Sequence, residues 1–360
     1  MMNKLIQDKL MRYINAHFGY TLPVEIGIVF VQGFIITFVL LFLFIKYYKN
    51  QFCNSARPFT PENHKKKSTI PTMGGICFLI GSIVPLIFSK HIQNPVVFMG
   101  IISLIFFGFI GLCDDLYKFF YKKGISAFTK ATIQLLFATS IGCVMVYAYN
   151  FSHTITIPFI PNCTFSLNQH MTIGWIAFLF IACANAVNLT DGLDGLATEC
   201  LIPNFFTCLL LIIITSNPFF AEYTGLVFQD ISTLALLISS LLGSLYAFLW
   251  FNTYPALIFM GDVGSLALGS VLAYSFLQTH YEFFLIIPGI LFIIETLSVI
   301  FQVLSFKLFK KRIFKMAPYH HHLELVGMHE ARIVKMFAMI TWWMLLCLII
   351  GLIGNCFYTK

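Results

Sequence analysis

Five of the seven aspartates in this chain fall in three places: Asp114 and Asp115, Asp191 and Asp194, and Asp262. Each place is the end of a long apolar run, where a carboxylate is expensive and more often marks chemistry than packing. Lysines stand close by, with Lys118 one turn after Asp114, then Lys130, and Lys67 at the end of a three-lysine run. Acids from three segments with lysines among them, gathered at one membrane surface, would hold a divalent cation on a diphosphate. Magnesium suits such a site because it takes oxygen ligands, keeps several waters, and needs only one or two carboxylates plus phosphate.

Asp262 is the first choice of metal ligand, helped by Asp191 or Asp114. It sits between glycines in Phe259-Met260-Gly261-Asp262-Val263-Gly264, and Ser265 is expected to open the next helix. Asp114 and Asp115 diverge by about 100° on a helix, so both face one point only if the helix ends there. Their mutual repulsion raises a pKa, which a cation or Lys118 relieves. Asn185, Asn188 and Asp191 are spaced to share a helical face, which Asp194 extends if the helix persists. Gly192 and Gly195 allow backbone to approach a ligand closely. Pro71 suits the first turn of a helix, whose positive end is a natural phosphate site.

The run His320-His321-His322 lacks the spacing of zinc ligands on a helix, and hydrogen bonds to phosphate or sugar fit it better. Glu295 lies in the middle of an apolar run and needs a partner in the protein interior. No CxxC pair occurs among the cysteines, so a zinc or disulfide framework has little support.

The elements that must position these groups are membrane helices. Hydrophobic residues make up 59% of the chain and charged residues 10%. Apolar runs of about 20 residues cross a bilayer. Ten predicted spans lie near 24–46, 71–89, 95–113, 131–149, 171–189, 200–216, 232–250, 266–281, 283–305 and 335–356. The expected fold is a single all-α polytopic bundle over residues 1–360, with a short external β-hairpin near 154–168 where Thr154-Ile155-Thr156-Ile157 alternates. Seventeen of the 22 Lys and Arg fall in one set of alternate loops. The positive-inside rule makes that set cytoplasmic and puts both termini on the periplasmic side. Every clustered aspartate falls in the cytoplasmic set. An ion-coupled transporter would instead place its acids near mid-membrane within inverted repeats.

Segments Lys67–Gly75, Asp114-Asp115, Asn185–Ala197, Phe251–Gly269 and Met316–Glu324 resemble, in order, the signatures of the phospho-N-acetylmuramoyl-pentapeptide-transferase family. That family belongs to the polyprenyl-phosphate N-acetylhexosamine-1-phosphate transferases. Met316-Ala317-Pro318-Tyr319 followed by the histidine triplet resembles this branch rather than sister enzymes using UDP-N-acetylglucosamine. Ile70 stands where the family usually has threonine.

The resemblance implies a magnesium enzyme of the bacterial inner membrane, often a homodimer, with its active site facing the cytoplasm and no nucleic-acid partner. It would transfer phospho-MurNAc-pentapeptide from UDP-MurNAc-pentapeptide to undecaprenyl phosphate, giving UMP and lipid I for peptidoglycan. It implies Lys67, Thr72, Asn188, Gly192, Leu193, Asp194 and Phe259 at the nucleotide end. Lys118, Lys130 and Asn252 would support the phosphates and His320, His321 and His322 the sugar. Asp114, Asp115, Asp191 and Asp262 would form the catalytic core.

Overall fold

The most deeply enclosed helix is among the less apolar ones. The computed structural model describes residues 21–48, 70–151, 154–157 and 164–358. In chain order its helices are α1 (Thr21–Tyr48), α2 (Gly75–Ile87), α3 (Pro95–Tyr121), α4 (Ala127–Cys143), α5 (Gln169–Thr190) and α6 (Leu196–Thr215). There follow α7 (Pro218–Thr224), α8 (Leu234–Asn252), α9 (Gly261–Thr279), α10 (Ile290–Phe309), α11 (Tyr319–Val326) and α12 (Glu330–Tyr358). Each of the ten predicted ranges overlaps one of these helices, though not all of those helices are long and apolar enough to cross a membrane. Eight helices among the described residues are long and apolar enough to cross a membrane: α1, α3, α4 (with its wider turn Val144–Ala148), α5, α6, α8, α10 and α12.

The two remaining predicted spans are α2, which is only 13 residues long, and α9. Every residue of α9 from Val263 to Thr279 is buried, although Gly264, Ser265, Gly269, Ser270 and Ser275 dilute its apolarity. Wrapped by α3, α5, α2 and α6, it has no face that must dissolve in lipid. Small residues then serve close packing, which is what drives helix association where no hydrophobic force separates helix from lipid. A Cβ on Gly269 would strike the backbone of Cys183 and Ala184 in α5, and one on Gly111 of α3 would strike the Asp262 carbonyl.

The same device joins α1 to α8. Gly33 lies against the Ser240 carbonyl and Gly243 against the Phe30 carbonyl. Ser239 Oγ donates to Ile26 O at 2.9 Å and Ser244 Oγ to Gly33 O at 3.2 Å. These bonds satisfy polar groups that lipid could not.

Capping fixes the start of α3. The Asn94 side chain accepts from Val96 N at 2.9 Å, and Pro95 has no N–H to leave unpaired. The predicted hairpin is present as β1 (Thr154–Thr156) paired antiparallel with β2 (Thr164–Ser166), Ile155 opposite Phe165.

Candidate active site

Contrary to the expectation that its helix ends at the acidic pair, α3 continues to Tyr121. One further turn carries Lys118 back over both carboxylates, as side chains three and four apart on a helix meet. Its Nζ lies 2.8 Å from Asp114 Oδ2 and 3.6 Å from Asp115 Oδ1. It also reaches Asp262 Oδ1, at 2.9 Å. Lys130, in the first turn of α4, lies 3.4 Å from Asp114 Oδ2 and makes a short contact with Asp262 Oδ2. Two ammoniums therefore knit α3, α4 and α9 into one charged cluster.

Backbone donors hold the carboxylates in place. Ile125 N donates to Asp114 Oδ1 at 2.7 Å, and Val263 N donates to Asp115 Oδ2 at 3.1 Å. The second bond caps α9, which begins at Gly261 rather than at Ser265 as expected. Gly261 takes φ 76°, and a side chain there would run into Asp115. Asp262 thus occupies the first turn of α9, where the helix dipole favours an anion. Burial pushes the Asp262 carboxyl up, but the Lys118 and Lys130 ammoniums prevail and hold it well below the usual carboxylate range.

Asp191 is different. It caps the C-terminus of α5, where the dipole opposes an acid. Among the described residues its carboxylate makes no hydrogen bond or ion pair. Burial, with the charges of Asp262, Asp115 and Asp194, pushes it up to about 7. Three carboxylates thus share two ammoniums, and the fourth, Asp191, is the one a cation would relieve most. Among the described residues no three acids, histidines or cysteines converge as a ready metal cage. The oxygen donor set and the unsatisfied Asp191 nevertheless fit a magnesium ion that brings phosphate and water as its other ligands.

Several expected residues are used differently. Pro71 precedes its helix, since α2 starts only at Gly75. The first amides of that helix are taken: Gly74 N and Gly75 N donate to Phe259 O and Met260 O, each at 2.9 Å, and Phe259 N donates to Pro71 O. This pairing removes the phosphate site expected at that helix end and seats Phe259. Thr72 is buried beside Gly261. Lys67 lies outside the described residues.

Helix α5 stops at Thr190, so Asp194 does not extend its face. Asp194 is buried in the following turn, where its Oδ2 accepts from Ala256 N at 3.0 Å. Asn252 fixes the same loop from below, donating to Ile258 O at 2.9 Å and accepting from Thr198 Oγ1 at 3.2 Å. Asn188 donates to Ser265 Oγ at 2.8 Å, tying α5 to α9. Asn185 bonds Gln134 of α4 at 2.8 Å and acts as interhelical glue. Leu193 is buried in the apolar core.

The histidine triplet divides. His320 is fully buried and pairs through Nδ1 with Glu295 Oε2 at 3.0 Å, giving that mid-helix acid its partner. His321 pairs with Glu324 at 2.7 Å. His322 Nδ1 accepts from Lys315 N at 3.2 Å and orders the preceding loop. Gly192 lies against His320 Nε2. Sequence reasoning missed Glu330, whose Oε1 accepts from Asp194 N at 2.7 Å. Nothing in the local sequence links those two positions.

In a chain with eight helices long and apolar enough to cross a membrane, residues 97–280 match glycosyl transferase family 4. The chain is 37% identical over 345 residues to the phospho-N-acetylmuramoyl-pentapeptide-transferase of Helicobacter acinonychis, covering 94% of this chain and 96% of that one. It is 38% identical over 354 residues to the enzyme of the same name from Campylobacter lari, covering 96% and 98%. A third relative of that name, from Sulfurimonas denitrificans, is 38% identical over 325 residues, 89% and 91% of the two chains. The chain belongs to the phospho-N-acetylmuramoyl-pentapeptide-transferase family.

Proposed function

We propose that the protein transfers phospho-MurNAc-pentapeptide from UDP-MurNAc-pentapeptide to undecaprenyl phosphate, releasing UMP and forming lipid I. The observation that carries this reading is the Lys118 bridge between Asp114 and Asp262, with Lys130 beside it. Two ammoniums held on carboxylates are a store of positive charge that a diphosphate can draw toward itself.

Asp262, with Asp191 and Asp114, would hold magnesium, and the ion would supply charge neutralisation on the diphosphate. Released from the acids, Lys118 and Lys130 turn to the phosphate oxygens. The reaction is a direct displacement, in which an oxygen of the lipid phosphate attacks the sugar-side phosphorus and UMP leaves. Catalysis is then largely positioning and electrostatics. The lipid phosphate, with a second pKa of about 6, has little proton to give up, so Asp114 acts more on geometry than as a base. Asn188, Gly192 and Phe259 would serve the nucleotide end and His320 the sugar, with Lys67 assigned to the nucleotide by the family resemblance alone.

The acceptor has a matching feature. An apolar cavity of about 330 Å³ runs between α5, α9 and α10, lined by Trp175, Phe178, Ala182, Leu272, Phe292 and Ile293. A polyprenyl chain suits such walls. The full topology is ten spans in the inner membrane with both termini periplasmic, the acidic cluster toward the cytoplasm, and a homodimeric assembly.

The test is purified protein with both substrates and magnesium, following UMP. Release that requires the lipid and stops with chelator supports the reading. A phosphorylated enzyme trapped without lipid would replace direct displacement by a covalent route through a carboxylate.

A further inference from the structure

Glu295 lies in the middle of α10, fully buried, and both of its oxygens are spent on one residue. The His320 backbone N–H donates to Oε1 at 3.1 Å and Oε2 at 3.4 Å, while ring Nδ1 lies 3.0 Å from Oε2. A carboxylate only accepts, so Nδ1 carries a ring proton, and the Nδ1–H tautomer offers a lone pair at Nε2. That Nε2 is buried and has no hydrogen-bond partner. It abuts Gly192, next to Asp191, where any Cβ would overlap it. A buried nitrogen left unpaired costs about 1–3 kcal/mol. A hydrogen-bond donor admitted beside Gly192 would remove that cost.

We infer that Glu295 is a positioning residue that fixes His320 in the Nδ1–H tautomer, so that Nε2 accepts a hydroxyl or amide hydrogen from the amino sugar of the substrate. Carboxylates that accept from one ring nitrogen and so orient the other for work act in this way elsewhere. The inference rests on the proposed phosphosugar transfer and assigns a chemical partner within it. A phosphate oxygen, which has no hydrogen to give, is excluded as the partner of Nε2.

The experiment combines nitrogen-15 histidine spectra of the full-length protein in detergent with binding and kinetics. The wild-type His320 ring, assigned by its loss in His320→Gln, shows the Nδ1–H signature. Glu295→Gln raises KM for the UDP-sugar substrate about tenfold, the scale of one hydrogen bond, and leaves the Kd of UMP, which lacks the sugar, within about twofold. In a His320→Gln background Glu295→Gln adds nothing further. An Nε2–H signature in the wild type overturns the inference, and that measurement stands even where Glu295→Gln does not fold. Equal weakening of UMP and UDP-sugar, or a full effect of Glu295→Gln without His320, overturns it too. The tautomer is read without turnover, whereas UMP release by wild type tests the transfer itself, so the two failures are distinguishable.

Discussion

Lys118 Nζ stands 2.8 Å from Asp114 Oδ2 and 2.9 Å from Asp262 Oδ1, joining the C-terminal end of α3 to the first turn of α9. One ammonium thus occupies the space between two carboxylates that a cation and a diphosphate would share. Asp262→Asn removes a charge from that space without changing its shape. UMP release falls by about a hundredfold or more, the scale of losing one electrostatic contact in a water-poor site. Unchanged turnover in a folded Asp262→Asn protein would remove this residue from the site.

Lys118→Met leaves buried Asp114 and Asp115 short of their shared counter-charge. Breaking a buried pair from one side costs about 3–5 kcal/mol. The melting temperature of Lys118→Met in detergent is therefore lower than wild type in chelator, and divalent cation restores more of it than it adds to wild type. A variant equally stable with and without cation would contradict the charge argument.

Asp191 gives a pH dependence with a definite sign. Its carboxyl is held up to about 7, against an ordinary value near 4 in the unfolded chain. Between these values the native state binds a proton that the unfolded state has released, so stability falls as pH rises through this window. Chelated protein accordingly melts lower at pH 7.5 than at pH 5 by the Asp191 contribution, and Asp191→Asn flattens that part of the slope. An unchanged slope in Asp191→Asn would show that the carboxyl is not shifted.

Gly111→Ala tests the close approach of α3 to α9. The added Cβ meets the Asp262 carbonyl backbone, which cannot yield as a side chain can. Overpacking of this kind costs about 1–3 kcal/mol. The displaced α9 start should carry Asp262 away from Lys118, and UMP release drops with stability. Wild-type behaviour in both measurements would argue against the packing.

Asp194 separates structural support from ligand contact. Asp194→Ala orphans the buried Ala256 N–H and lowers stability by about 1–3 kcal/mol, whereas Asp194→Asn keeps an acceptor and loses less. Thermal midpoints of the two variants check this ordering. Equal losses would show that the charge, rather than the bond to the loop, matters at this position.

How far the site could be read from sequence depends on how local each signal is. The apolar runs and the placement of acids and lysines at their ends are properties of composition and order. They lead to the bundle, and the gathering of Asp114, Asp115, Asp191 and Asp262 with Lys118 and Lys130 agrees with them. Element ends were less legible. Pro71 reads as a helix opener, yet Gly74 N and Gly75 N bond the carbonyls of Phe259 and Met260 and delay α2. Asp115 closes an apolar run, yet α3 continues because Lys118 neutralises its acids.

Sequence by itself determined which chemistry is available: hard oxygen donors, ammoniums and imidazoles at the polar edges of lipid-soluble helices. Only the tertiary structure decided which of them remain available. It placed Asp194 and Asn252 in loop support, gave Glu295 to His320, and left the His320 Nε2 without a partner among the described residues. The physical reason is that a hydrogen bond between residues far apart in the chain leaves no trace in spacing or periodicity. Whether a polar group is satisfied is settled by what other helices bring to it.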